Sequence, residues 1–191
     1  MAPGTDNLQQ LPANLPEPVD DGGADHLPGR PLPPVSLAST HGGRVDLAAL
    51  PGLTVVYCYP MTGRPDRDLP ENWDGIPGAR GCTSQSCSFR DHHEELVELG
   101  ARVFGLSTQG TAYQREAAGR LRLPFALLSD EGLDFARAVG LPTFEVGDDT
   151  LTKRLTMILE DGRIDEVFYP VFPPNESAQR VVEWLSARST D

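Results

Sequence analysis

Lysine, cysteine and long apolar runs are the scarce features of this 191-residue sequence. No stretch of about 18 apolar residues occurs, which excludes a helical membrane span. The first residues, MAPGTDNLQQL, lack a basic region followed by an apolar one, so no secretory signal is expected. Three cysteines, Cys58, Cys82 and Cys87, are too few for a disulfide scaffold. The default is therefore a reducing, cytoplasmic setting in which any disulfide is transient and catalytic. Positive charge is short as well: 16 Lys and Arg face 28 Asp and Glu, for a net charge of −12. Lys153 is the one lysine. That balance argues against nucleic acid as a partner. No internal repeat is present.

What is there reads as one α/β domain with an extension. Residues 1–34 hold 8 of the 18 prolines and little apolar content, which predicts a mobile or surface-wrapping arm. The domain is expected over residues 35–191. VSLAST-HGG-RVDL predicts a hairpin with Gly42 and Gly43 at its turn. Residues 53–59, LTVVYCY, have the β-branched, apolar character of a buried central strand. A Pro- and Gly-rich loop, 60–81, leads into a predicted helix from Cys82 to about Leu99, stopped by Gly100. RVFGLS (102–107) predicts a second buried strand. Thr111 and Gln114 fit a capping box opening a helix to about Leu121. PFALLSD predicts a third strand and 133–139 a short helix. KRLTMIL and IDEVFY flank Asp161-Gly162, a hairpin signal. Ala178, Val181, Val182 and Leu185 share one face of a final helix. Strands alternating with helices indicate three layers around a sheet.

Cys82 lies where the Gly-rich loop enters a helix. First-turn amides lack intrahelical partners, and the helix dipole favours negative charge there. Such positions favour the thiolate, which is the nucleophilic form of cysteine. At about 100° per residue, Phe89, His93, Leu96 and Val97 fall within roughly 60° of Cys82, whereas Cys87 lies roughly 140° around. Cys82 is thus expected to face the core and Cys87 to lie nearer solvent. Residues five apart in an intact helix have Cα atoms about 8–9 Å apart, beyond the roughly 7 Å that a disulfide spans. A Cys82–Cys87 bond therefore requires the first turn to unwind. Spacing alone leaves other readings open. The two cysteines can be an unrelated core and surface pair. A zinc site of Cys82, Cys87, His92 and His93 matches no usual finger spacing, and both histidines also read as ordinary helix residues. A thioredoxin-type reductase calls for C-x-x-C, which is absent. Cys58, inside a buried strand, reads as an inert packing residue.

The run from Gly81 to Asp91, GCTSQSCSFRD, resembles the active-site segment of the peroxiredoxins, and most closely the Q (bacterioferritin-comigratory-protein) subfamily, with its pattern G-C-T-x-E/Q-x-C-x-F/L-R-D. Gly105-Leu106-Ser107, PFALLSD at 124–130, and RLTMIL at 154–159 followed by Asp161-Gly162 are similar to further stretches of that subfamily, in the same order. The resemblance covers roughly Val35 to Ala187. It implies a thioredoxin-like three-layer fold with a central mixed sheet flanked by helices. It also implies a thiol-dependent peroxidase that acts on hydrogen peroxide or organic hydroperoxides and needs neither metal nor organic cofactor. Carried over, it makes Cys82 the peroxidatic cysteine, Cys87 the resolving one, Arg154 the active-site arginine and Gln85 the residue that orients it. A thioredoxin-like dithiol would restore the thiols, and the protein would be a monomer or homodimer. A redox sensor, or a thiol-disulfide oxidoreductase without efficient peroxidase turnover, is the rival reading.

The subfamily carries Pro seven residues, and Thr or Ser three residues, before its cysteine. Here those positions are Gly75 and Ala79. Tyr59-Pro60 resemble the start of the motif, with about fifteen residues inserted before Cys82. Thr62 is the expected source of the hydroxyl that Ala79 lacks. Trp73, within the insertion, is expected to wall the pocket, meet a second subunit or simply pack its loop.

Overall fold

The computed structural model describes residues 8–190. Nine strands and five α-helices lie among them: β1 (Ser36–Ser39), β2 (Arg44–Asp46), β3 (Leu53–Cys58), α1 (Cys82–Asp91), α2 (His93–Glu98), β4 (Ala101–Ser107), α3 (Thr111–Leu121), β5 (Leu127–Ser129), α4 (Asp134–Val139), β6 (Thr143–Val146), β7 (Asp149–Thr152), β8 (Leu155–Glu160), β9 (Arg163–Phe168) and α5 (Ser177–Arg188). Seven strands form a mixed sheet in the order β2-β1-β5-β4-β3-β8-β9, and β6 and β7 make a separate hairpin. β3 runs parallel to β4 and antiparallel to β8, with Val55 beside both Val103 and Ile158.

β3 explains the layering. Side chains alternate across a strand, and both of its faces are covered, hence the unbroken apolar run. Val55, Tyr57 and Tyr59 pack with Phe89 of α1, Leu96 of α2 and Ala178, Val181 and Leu185 of α5. Val56 and Cys58 pack on the opposite side with Phe135, Ala136 and Val139 of α4. The hairpin of β8 and β9 closes through Asp161 and Gly162, both at positive φ (50° and 75°), as a tight two-residue turn demands.

The structure departs from the sequence reading at four places. The helix expected to run from Cys82 to about Leu99 breaks at His92 (φ −99°, ψ 8°), ending α1 and starting α2. The break resets the helical phase, so Val97, expected on the core side, is 53% exposed. No capping box forms on α3: its cap is Gly110, and Gln114 turns inward to donate to Ser107 Oγ and the Leu128 carbonyl. The β6–β7 hairpin was not expected. Finally, part of the segment before residue 35 packs into the core. Residues 1–7 of the Pro-rich arm lie outside the described residues, but Ala24, Leu27 and Leu32 are core residues, Leu27 with no exposure at all. Prolines cannot donate to a ladder, yet the amides between them do. Gly29 and Leu32 donate to the carbonyls of Ile164 and Gly162, and Ile164 donates back to Arg30.

Candidate active site

The loop 76–81 delivers the chain to α1 through Gly81, at φ 108°, a left-handed value that favours glycine. A Cβ there would also lie 2.3 Å from Pro174 Cγ. Glycine thus allows both the turn and the close approach, and Cys82 becomes the first residue of α1. Its side chain is 3% exposed. The Cys82 thiol donates to the Ala79 carbonyl at 3.6 Å, and Arg154 Nη2 donates to the sulfur at 3.2 Å.

Arg154 comes from the stretch between β7 and β8 and is also 3% exposed. A buried guanidinium needs partners on its other faces. Nη2 is shared among the carbonyls of Gly78, Ala79 and Arg80, at 3.0–3.2 Å, as well as the sulfur. Nη1 donates to Gln85 Oε1 at 2.6 Å. Gln85 lies one helical turn after Cys82, so the helix fixes both ends of this arrangement. The Gln85 amide donates in turn to Ser177 Oγ (3.2 Å), which lies 3.3 Å from Thr156 Oγ1. Arg154 Nε has no partner among the described residues. The positive charge of the buried guanidinium therefore bears directly on the Cys82 sulfur.

The structure brings Cys82, Gln85 and Arg154 together, residues that stand up to 72 positions apart. Cys87 lies elsewhere on α1, partly exposed, and all three cysteines are free. Burial raises the Cys87 thiol above its ordinary value, and the neighbouring Arg90 offsets part of that rise. Thr62 makes its hydrogen bonds to Gln109. It is 1% exposed, and its amide and hydroxyl both donate to Gln109 Oε1, at 3.0 and 3.3 Å. The expected substitution of Thr62 for the hydroxyl missing at Ala79 is thus not seen: the inserted loop holds Thr62 against Gln109, and no hydrogen bond from it reaches the sulfur. Ala79 instead packs with Trp73 and Leu151, and the Trp73 ring stacks on Phe144 at 6.5 Å. Trp73 therefore anchors its own loop behind the site, within one chain.

The zinc reading finds no support in the placement. Among the described residues no group of three His, Cys, Asp or Glu side chains is set to hold a metal. His92 bonds the Ser88 carbonyl, and His93 lies against the Phe125 ring. Sequence reasoning missed the polar layer beneath α1: Ser177, Thr156, and Tyr57, whose hydroxyl lies 2.9 Å from Ser86 Oγ. Burial pushes the Tyr57 hydroxyl well above its usual range, so it stays neutral. A tyrosine in a fully buried strand was the available signal, since its hydroxyl must find a partner.

A buried cysteine at a helix entry, touched by an oriented arginine, defines a thiol-dependent redox enzyme. The comparisons with known proteins make this specific. The Redoxin family model matches residues 27–182. Chloroplastic peroxiredoxin Q of Sedum lineare is 32% identical over 161 residues, which are 83% of this chain and 77% of that protein. The Gentiana triflora counterpart is 31% identical over 81% of this chain and 64% of its own length. Among solved structures, the peroxidoxin BcpB of Mycobacterium tuberculosis superposes with a TM-score of 0.69 at 24% identity, covering 85% of this chain and 98% of its own. Peroxiredoxin Q of Xanthomonas campestris gives 0.61 at 20% identity, covering 90% and 96%. The chain belongs to the Redoxin family and, within it, to the peroxiredoxins of the Q type: it is a thiol-dependent peroxidase of thioredoxin-like fold.

Proposed function

We propose that Cys82 is the peroxidatic cysteine, Arg154 and Gln85 its activating pair, and Cys87 the resolving cysteine. The observation that carries this reading is the 3.2 Å contact between Arg154 Nη2 and Cys82 Sγ, held by Gln85. The Cys82 thiolate attacks one oxygen of a hydroperoxide. An S–O bond forms, the O–O bond breaks, and the leaving oxygen takes a proton to become an alcohol or water. The guanidinium offsets the charge on both sulfur and oxygens, and its unclaimed Nε–H is a donor for a substrate oxygen. Cys87 then attacks the sulfenic sulfur, expelling water and forming a disulfide. A thioredoxin-like dithiol restores both thiols by exchange and is itself oxidised.

Cys82 and Cys87 share an unbroken α1, so resolution requires residues 82–87 to unwind. Three free cysteines suit a reducing compartment such as the cytoplasm. Among the described residues no helix is long and apolar enough to cross a membrane. A second reading, a redox sensor with slow turnover, is favoured by Ala79, which offers no hydroxyl to the sulfur. Steady-state peroxide consumption with a dithiol donor separates the two.

Single-turnover oxidation tests the cysteine roles. Cys82→Ser abolishes peroxide reduction, whereas Cys87→Ser reacts once and then accumulates sulfenic and sulfinic acid. Equal loss of the first oxidation in both variants would overturn the assignment.

A further inference from the structure

Residues 8–21 precede the stretch that matches the Redoxin model, residues 27–182, yet they touch the parts of the site that have to move. The Gln9 carbonyl accepts a 2.9 Å hydrogen bond from Ser84 Oγ, two residues into α1 from Cys82. Leu11 sits at the helix entry, where a Cβ on Gly81 would lie 3.0 Å from its Cδ2. Leu15 and Pro16 line a narrow cleft with Arg80 and Arg154. Pro18 and Val19 help wall an adjoining apolar cleft of about 260 Å³ that also reaches Arg154. Asp21 ends the run. Its carboxylate accepts from Lys153 Nζ and from the Tyr169 hydroxyl, both at 2.6 Å. These bonds, Lys153 first, hold the Asp21 carboxyl well below the usual carboxylate range. Lys153 is the residue before Arg154, so the segment is fastened at the helix and at the arginine.

We propose that residues 8–21 form a strap that keeps the first turn of α1 wound, and that its release sets how fast Cys87 reaches oxidised Cys82. The inference rests on reading Cys82 and Cys87 as the peroxidatic and resolving pair. α1 needs such support. Its sequence, CTSQSCSFRD, has one large apolar side chain, and no side chain caps its start. Serine and threonine favour competing local hydrogen bonds over helix. Even so, Cys82 to Ser86 are all buried: Ser86 lies against Tyr57, Gln85 against Ser177, and Ser84 under the strap at Gln9. The Ser84 bond is made by a residue of the wound turn, and Leu11 lies against the Gly81 entry to it, so both shift the equilibrium towards that state.

The state of the turn decides the fate of the sulfenic acid. Wound, Cys82 stays beside Arg154, where a second hydroperoxide oxidises it to sulfinic acid and is itself reduced to alcohol or water. Unwound, Cys87 forms the disulfide and water leaves. Opening acts as a pre-equilibrium, so every contact of the strap appears in the rate of disulfide formation and, inversely, in the yield of sulfinic acid.

The test uses the full chain, one equivalent of hydrogen peroxide, and mass mapping of quenched samples. Ser84→Ala and Leu11→Ala each speed Cys82–Cys87 disulfide formation by about 3–10-fold, the effect of losing one modest contact. Both lower the sulfinic yield at excess peroxide and raise amide exchange of residues 82–87 in the reduced chain. Ser84→Ala improves helix propensity, so an effect through the helix alone would slow resolution, and the sign separates the two causes. Asp21→Asn, at the far fastening, gives a smaller change in the same direction. Unchanged or slower disulfide formation in both Ser84→Ala and Leu11→Ala overturns the strap. Absence of any Cys82–Cys87 disulfide in the unsubstituted chain overturns instead the reading of the pair on which it rests.

Discussion

Cys58 and Cys82 are almost equally hidden, at 0% and 3% exposure, and carry the same thiol. Cys58 lies mid-sheet, among Leu106, Leu128 and Leu155. Burial, helped by the Asp130 carboxylate, pushes its thiol far above the ordinary value, so it stays protonated and inert. Cys82 lies at a helix entry with a guanidinium on its sulfur. Depth alone does not distinguish the two cysteines. The two sites differ in the charge the fold delivers to the sulfur: Arg154 at Cys82, the Asp130 carboxylate at Cys58. Cys87 is the third case: partly exposed and near Arg90.

Removing the charge should make Cys82 behave more like Cys58. Arg154→Ala slows the first oxidation by about 10²–10³, the range for loss of one preorganised donor. Stopped-flow with hydrogen peroxide reads this directly, and an unchanged rate constant would remove Arg154 from the reaction. Gln85→Ala leaves the charge but frees its orientation. A loss of about tenfold is expected, equivalent to about 1.4 kcal/mol for a charge-assisted hydrogen bond. Cys87 sharpens the contrast through pH. Burial raises its thiol above the ordinary value, so its thiolate fraction grows as pH rises. Disulfide formation after Cys82 oxidation should therefore accelerate about tenfold per unit between about pH 6 and 8. A flat profile would show that thiolate supply does not limit this step. The smallest effect belongs to Cys58. Cys58→Ala costs about 1 kcal/mol of stability, read by denaturant melts, and leaves the oxidation rate constant as it was.

Most strands and helices were legible because their patterns are local: the apolar run of β3, the Asp-Gly turn, the single apolar face of α5. Residues 24–32 were not, because proline-rich composition reads as extended chain, while the partners of that chain lie on β9, more than a hundred residues away. The β6–β7 hairpin was too short to register, although Phe144 and Val146 alternate with exposed residues and Gly147-Asp148 is a two-residue turn signal. In the site, the position of Cys82 at a helix entry was legible from the Gly-rich loop before it, while its proposed role came from the resemblance. That Arg154 and Gln85 meet beside Cys82 was legible only by resemblance, since Arg154 in isolation reads as a surface strand residue. That Gln109 takes the Thr62 hydroxyl was not legible, since nothing in the sequence pairs the two. The helix break at His92 left no local signal either.

The most direct measurement is to identify which sulfur the first equivalent of hydroperoxide oxidises. The full-length reduced chain is mixed with one equivalent in the presence of a sulfenic-acid trap, and the adduct is located by peptide mass mapping. The account predicts trapped sulfenic acid on Cys82, none on Cys58, and in the absence of trap a Cys82–Cys87 disulfide. Trapping first on Cys58 or Cys87, with Cys82 still a thiol, would contradict it.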